Sequence, residues 1–138
     1  MTFMSSDTTD PNSAADVHSA LGITILEVSS ERVVCQLEVG PRVHQPYGIL
    51  HGGVSALLAE SAASIGGAHS VPEGKIVVGI ELNASHLRSM TEGVLTATAT
   101  PVRAGRTIQV WGIELTDEKG RMICVSRCTL AVLDAPKV

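Results

Sequence analysis

At 138 residues the chain has the size of one domain, long enough to bury about 70% of its surface on folding. Its net charge of -4 comes without a basic stripe or an aromatic platform, which argues against nucleic acid as a partner, and no apolar run reaches the ~20 residues that span a bilayer. The hydrophobic fraction is 44% but the aromatic fraction only 2%, namely Phe3, Tyr47 and Trp111, so the core has to be built from Val, Ile, Leu and Ala.

Residues 1–16 are rich in Ser, Thr and Asp and have neither a basic n-region nor an apolar h-region. They are expected to form a flexible tail rather than a signal peptide, with residues 17–138 a single domain and the cytoplasm its compartment. The cysteines, Cys35, Cys124 and Cys128, include no C-x-x-C pair. Cys124 and Cys128 share a face of one predicted strand about 13 Å apart at ~3.3 Å per residue, too far for a disulfide, so all three are expected to be small buried hydrophobes.

Residues 23–28 and 33–39 alternate apolar and polar side chains around Ser29-Ser30-Glu31-Arg32, the pattern of a β-hairpin. A loop from Gly40 leads to a helix over about Gly52–Ala68, in which Val54, Leu57, Leu58, Ser61, Ala62 and Ile65 form the predicted apolar stripe. Ala56, Ala59, Ala63, Gly66 and Gly67 cover much of the remainder, so this helix is expected to be wrapped by its surroundings. Alternation at Ile76, Val78, Ile80, Leu82, Ala84 and His86 predicts a long strand; Val94–Val102, Thr107–Thr116 and Met122–Leu133 predict three more. Strands that follow one helix without interruption predict an antiparallel α+β domain, not a βαβ fold. One helix covers one face of such a sheet, which leaves the other, apolar at many positions, for solvent or another subunit.

Between Arg42 and Glu73 the one formally charged side chain is Glu60. A carboxylate in an apolar helix has to be paired or used, because burying it alone costs several kcal/mol. It falls at the flank of the stripe, with Ala56 one turn before and Ser64 one turn after. Upstream, Gly52-Gly53 opens the same helix. Glycines there provide a tight turn, or let a substrate carbonyl approach first-turn N–H groups that have the positive end of the helix dipole behind them. Two turns apart on one helix, the glycines and Glu60 are expected to form an oxyanion site and a carboxylate close together.

The run His44-Gln45-Pro46-Tyr47-Gly48-Ile49-Leu50-His51-Gly52-Gly53-Val54-Ser55-Ala56-Leu57-Leu58-Ala59-Glu60 resembles the hotdog-fold acyl-CoA thioesterases. The nearest branch hydrolyses aryl-CoA and 1,4-dihydroxy-2-naphthoyl-CoA thioesters and includes the enterobactin proofreading thioesterase and the Arthrobacter-type 4-hydroxybenzoyl-CoA thioesterases. Val78–His86 and Gly105-Arg106-Thr107 extend the resemblance. It implies a curved antiparallel sheet around one long helix, a homodimer with interfacial active sites, and pairing of dimers into a homotetramer. It implies Glu60 as the catalytic carboxylate, Gly52 as the N–H donor to the thioester carbonyl, and Gln45 and His51 as aligning groups, Gln45 coming from the opposing subunit. Gly53, Ser64, Ile65, Gly79 and His86 would line the substrate, Ser64 and His86 at its acyl end. Leu87, Arg88 and Ser89, together with Arg103, Gly105, Arg106 and Thr107, would receive CoA, whose phosphates suit arginine. Relatives often have His where Arg103 stands, so that contact departs from the pattern. CoA is part of the substrate, and no cofactor is expected.

The remaining histidines carry blander expectations: His44 is loop structure or substrate-adjacent, His69 a cation near the helix C-terminus, and His18 surface. His44, His51, Glu60 and His86 match no metal-ligand spacing, so no metal is expected. A hotdog hydratase or dehydratase is the enzymatic rival, although those enzymes begin this helix with Pro-Gly-Val-x-x-x-Glu where this chain has His51-Gly52-Gly53. A non-catalytic acyl-CoA-binding module is the rival of another class. The acyl group itself is open: a hydroxylated aromatic suits a moderately polar pocket end.

Overall fold

Residues 16–137 are described by the structure, a computed structural model. A short helix α1 (Val17–Leu21) precedes the hairpin β1 (Thr24–Val28) and β2 (Val33–Val39), and a 3-10 turn at Pro41–Val43 begins the loop to the long helix α2 (Gly52–His69). Four strands follow: β3 (Lys75–His86), β4 (Gly93–Ala104), β5 (Ile108–Thr116) and β6 (Met122–Asp134). The helix and all six strands lie where the sequence predicts them, to within one or two residues at each end. The turn of helix at Val17 was not anticipated. The predicted N-terminal tail lies outside the described residues apart from Asp16, whose carboxylate caps α1 by accepting the Ser19 N–H at 2.8 Å.

The strands form one antiparallel sheet in the order β1-β2-β4-β5-β6-β3. Helix α2 packs against every strand. A flat sheet of six strands is about 24 Å across at ~4.8 Å per strand, more than twice the ~10 Å width of a helix, so this sheet curves around it. Alternate residues point into the curve: Val33, Cys35, Leu37 and Val39 from β2, Leu95, Ala97 and Ala99 from β4, and Trp111, Ile113 and Leu115 from β5 are all buried. The opposite face is mixed rather than broadly apolar, with threonines, Glu114 and Arg127 beside Val110 and Val125.

The face that α2 presents to the sheet differs from the predicted stripe. Ser55, Leu58, Ala59, Ala62, Ala63, Ile65, Gly66 and Gly67 are buried, whereas Val54, Leu57 and Ser61 are only half-buried. Size decides this, not hydropathy. The ring of Trp111 lies where a Cβ on Gly66 would sit, and Leu130 meets Gly67 in the same way at 2.5 Å. Two further groups tie the helix to β5: Trp111 Nε1 donates to Gln109 Oε1 at 2.9 Å, and Gln109 Nε2 donates to the Gly67 carbonyl at 3.4 Å. The buried indole and amide are thereby satisfied.

Strand β3 is an edge strand, and its alternation is broken by a bulge between Gly79 and Glu81. Val77 and Gly79 face the helix before the bulge, and Leu82 and His86 after it. The even alternation expected from Ile76 to His86 therefore fails in its first half. Val78 and Ile80 are 39% and 57% exposed, because the extra residue reverses the facing of everything before it. Glu81 turns to the outer face, where it accepts from Asn83 Nδ2 at 3.2 Å and Thr129 Oγ1 at 3.3 Å.

Candidate active site

The loop leading into α2 is stitched by main-chain bonds: Gln45 N–H donates to Ile49 O, Leu50 N–H to Met90 O and His51 N–H to Val43 O, at 2.7–2.9 Å. His44 Nε2 donates to the Thr91 carbonyl at 2.8 Å, so that ring belongs to the loop scaffold. Gln45 Oε1 accepts the Tyr47 N–H, which leaves its side-chain NH2 for another partner. His51 is the N-cap of α2, its Nδ1 accepting the Gly53 N–H at 2.8 Å. Gly53 is therefore not a free donor. The Gly52 N–H has no hydrogen bond among the described residues. His86 lies directly against Gly52, where a Cβ would be 2.8 Å from the ring Nε2.

Glu60 is the exposed residue on this otherwise packed stretch of helix. Its carboxylate rests on β3 at Gly79, where an added Cβ would come within 3.1 Å of Glu60 Cδ. A cleft of about 470 Å³ opens beside it. Val17, Leu57, Leu82 and Ala56 give this cleft apolar walls; Glu60, Ser61, Ser64 and His18 supply its polar groups, and Gly53 borders one end. His18, expected at the surface, instead bonds Ser61 Oγ through Nε2 at 3.0 Å. Behind Glu60 the Cys128 thiol is pushed up to about 12, first by burial and then by the negative charges of Glu60 and Glu81.

The other expected site residues lie elsewhere. Gln45, Gly52, His86, Leu87, Arg88 and Ser89 line a second cleft of about 350 Å³. Gly52 and Glu60 are eight positions apart, about 12 Å along the axis at ~1.5 Å per residue. The expectation that they meet on their own helix is corrected by this spacing: in one chain they serve different clefts. Ile65 is 1% exposed and lies in the core, lining neither cleft. Arg103, Gly105, Arg106 and Thr107 form the turn between β4 and β5, where the Gly105 N–H donates to Ile108 O at 2.9 Å. Through β5 and β6 that turn is level with Val78, at the end of β3 away from His86. None of Arg88, Arg103 and Arg106 takes part in an ion pair among the described residues. His69 occupies the last helical position, but the C-cap is Ser70, whose Oγ donates to Gly66 O at 2.8 Å. His18, Ser61 and Leu82 were given no role from the sequence. Their common position depends on the placement of α1 and on the bulge in β3, neither of which has a local sequence signal.

One long helix cradled by a six-stranded antiparallel sheet is the hotdog fold, here with a carboxylate on the helix flank and an open N–H at the helix start. The profile of the thioesterase superfamily matches residues 47–124. A 1,4-dihydroxy-2-naphthoyl-CoA hydrolase from Listeria monocytogenes is 51% identical over 116 residues, covering 84% of this chain and 94% of its own. A proofreading thioesterase, EntH, from Cronobacter sakazakii is 40% identical over 113 residues, 82% of either chain. Among solved structures, a thioesterase from Haemophilus influenzae has a TM-score of 0.83 at 44% identity, covering 87% of this chain and 84% of that one. The chain belongs to the thioesterase superfamily. No helix among the described residues is long and apolar enough to cross a membrane.

Proposed function

We propose that the protein hydrolyses an aromatic acyl-CoA thioester to the free acid and CoA, in a site completed by a second copy of the chain. The observation that carries this reading is the separation of the two catalytic groups along one open edge strand. Glu60 rests near the start of β3, at Gly79, and Gly52 at its end, beside His86. A two-fold axis near the middle of β3, pairing the strand with its symmetry mate, would bring His86 and Gly52 of one copy to Gly79 and Glu60 of the other. A twelve-residue edge strand with Val78 and Ile80 exposed suits such pairing, since unprotected edges of that length are normally covered. Tyr47, 90% exposed at the loop tip, would be covered as well.

In the composite site the thioester carbonyl accepts from the Gly52 N–H as charge develops on oxygen; such a donor is typically worth about 3 kcal/mol. The NH2 of Gln45 and the helix-capping His51 fix the thioester and the water. Glu60 of the other copy acts as general base on water or as nucleophile through a mixed anhydride. Ser64 lines the acyl end, and Gly53 and Gly79 allow close approach. Arg88 with Leu87 and Ser89 of one copy, and the partner's turn of Arg103, Gly105, Arg106 and Thr107, would receive the CoA nucleotide. Pairing of dimers into a tetramer would use the outer face of the sheet. The three unpaired cysteines support a reducing, cytoplasmic setting.

The test is thiol release across benzoyl, dihydroxynaphthoyl, phenylacetyl and fatty acyl thioesters. Aryl-CoA should turn over fastest, and Glu60→Gln should lose about 10²–10⁴-fold in kcat with an unchanged circular dichroism spectrum. Near-normal turnover by that variant rejects the mechanism. Single turnover in ¹⁸O water separates the routes, because label in the Glu60 carboxylate requires the anhydride.

A further inference from the structure

The cleft at Glu60 is closed on one side by a residue from outside the helix-and-sheet unit. Helix α1 has only five residues but is fixed at both ends: Asp16 caps it, and Gly22, left-handed at φ 68°, turns its N–H back to the His18 and Ser19 carbonyls. It is also tied to the body, since the Ile23 N–H donates to His18 O at 2.9 Å and Arg42 Nη1 donates to Ala20 O at 3.2 Å. His18 is therefore held in place, and its Nε2 meets Ser61 Oγ at 3.0 Å across 43 positions of sequence. Ser61 directly follows Glu60, and both line the cleft with His18. A serine hydroxyl donates one bond and accepts two, so Ser61 can engage His18 and still bond a ligand.

We infer that His18, acting with Ser61, determines acyl specificity by selecting acyl groups that carry a hydroxyl beyond the thioester carbonyl. This rests on the reading of the Glu60 cleft as the acyl site, and goes beyond it by naming the chemistry the cleft selects. With aliphatic walls from Val17, Leu57 and Leu82, the cleft discriminates chiefly through its few polar groups. An acyl group bearing a hydroxyl satisfies the His18–Ser61 pair when water is expelled. An unsubstituted ring strips water from the same pair and returns nothing, and a site built for a hydroxyl penalises the analogue that lacks one. Ser64, one turn beyond Glu60, adds a second polar group to the same wall.

The experiment compares kcat/KM for 3-hydroxybenzoyl-CoA, 4-hydroxybenzoyl-CoA and benzoyl-CoA in the wild type, His18→Leu, Ser61→Ala, the double variant and His18→Gln. The wild type should favour at least one hydroxylated substrate over benzoyl-CoA by about tenfold or more. His18→Leu and Ser61→Ala should each reduce that ratio by about tenfold, the double variant should lose little more, and His18→Gln should recover part of it. A ratio unchanged in His18→Leu, or a parallel fall for all three substrates, overturns the inference and leaves His18 a structural prop. Wild-type turnover without preference for a hydroxyl overturns it too, while leaving the thioesterase reading intact. A folded wild type that releases no thiol from any of the three overturns it as well, and the thioesterase reading is rejected with it only if the dihydroxynaphthoyl, phenylacetyl and fatty acyl thioesters are not cleaved either.

Discussion

The Cys128 side chain reports on the ground behind Glu60. Its thiol is pushed up to about 12, by burial first and by Glu60 and Glu81 next, and burial pushes the Cys35 thiol up to about 11. Both are raised above the ordinary 9.0, so the folded state holds these protons more tightly than the unfolded chain does. The resulting stability is fully present below pH 9 and is lost as pH rises through 11 and 12. Urea midpoints measured from pH 8 upward should fall along this limb, and Cys35→Ala should flatten it. The thiolate is the reactive form, so iodoacetamide at pH 8 should leave all three cysteines of the native protein unmodified and alkylate them after unfolding.

At the scale of elements, helix and sheet meet through an absence of side chains. In an isolated helix Ala is favoured over Gly by about 1 kcal/mol. Gly66→Ala should nonetheless destabilise this protein, by about 1–3 kcal/mol from overpacking, because the new methyl falls on the buried Trp111 ring. The urea midpoint measures it; an increase in stability would mean that the indole can move aside. The same joint explains what the sequence concealed. Helix α2 was legible because Gly52-Gly53, the apolar run and the Pro72-Glu73-Gly74 turn punctuate it. Which face packs was not, since hydropathy ranks Leu57 above Gly66 and the ring that needs the space lies far away in sequence. The strands were legible from alternation and turn residues. The bulge was not, since Val77, Val78, Gly79 and Ile80 offer apolar or small residues on both parities. Glu60 stood out as the lone charge of its stretch, whereas its distance from the Gly52 N–H follows from helical rise.

The whole molecule sets the strongest test, because a site assembled from two copies can be rebuilt from two broken ones. Glu60→Gln and Gln45→Ala should each abolish most thiol release. Mixed after reversible dissociation, they should regain activity, since each mixed dimer carries one site in which both groups are intact. Random pairing gives half mixed dimers, hence about one quarter of wild-type activity. A mixture no more active than its components would place both groups on a single chain. Sedimentation of Ile80→Lys should give a monomer without turnover, as the charge would lie in the pairing edge.

The bulge in β3 makes the number of residues a functional variable. Were Ile80 paired in turn like its neighbours, an unbroken zigzag from Val77 would turn Glu81, Asn83 and Ser85 toward the helix and Leu82 and His86 away from it. A second carboxylate would then compete for the floor beneath Glu60. Removing Ile80 would preserve the inward set and its pairing with β6, since Gly79 already faces Leu130 and Glu81 already faces Thr129, whereas one more residue would turn Leu82 and His86 outward. Deletion of Ile80 should therefore be tolerated far better than insertion of a residue between Gly79 and Leu82.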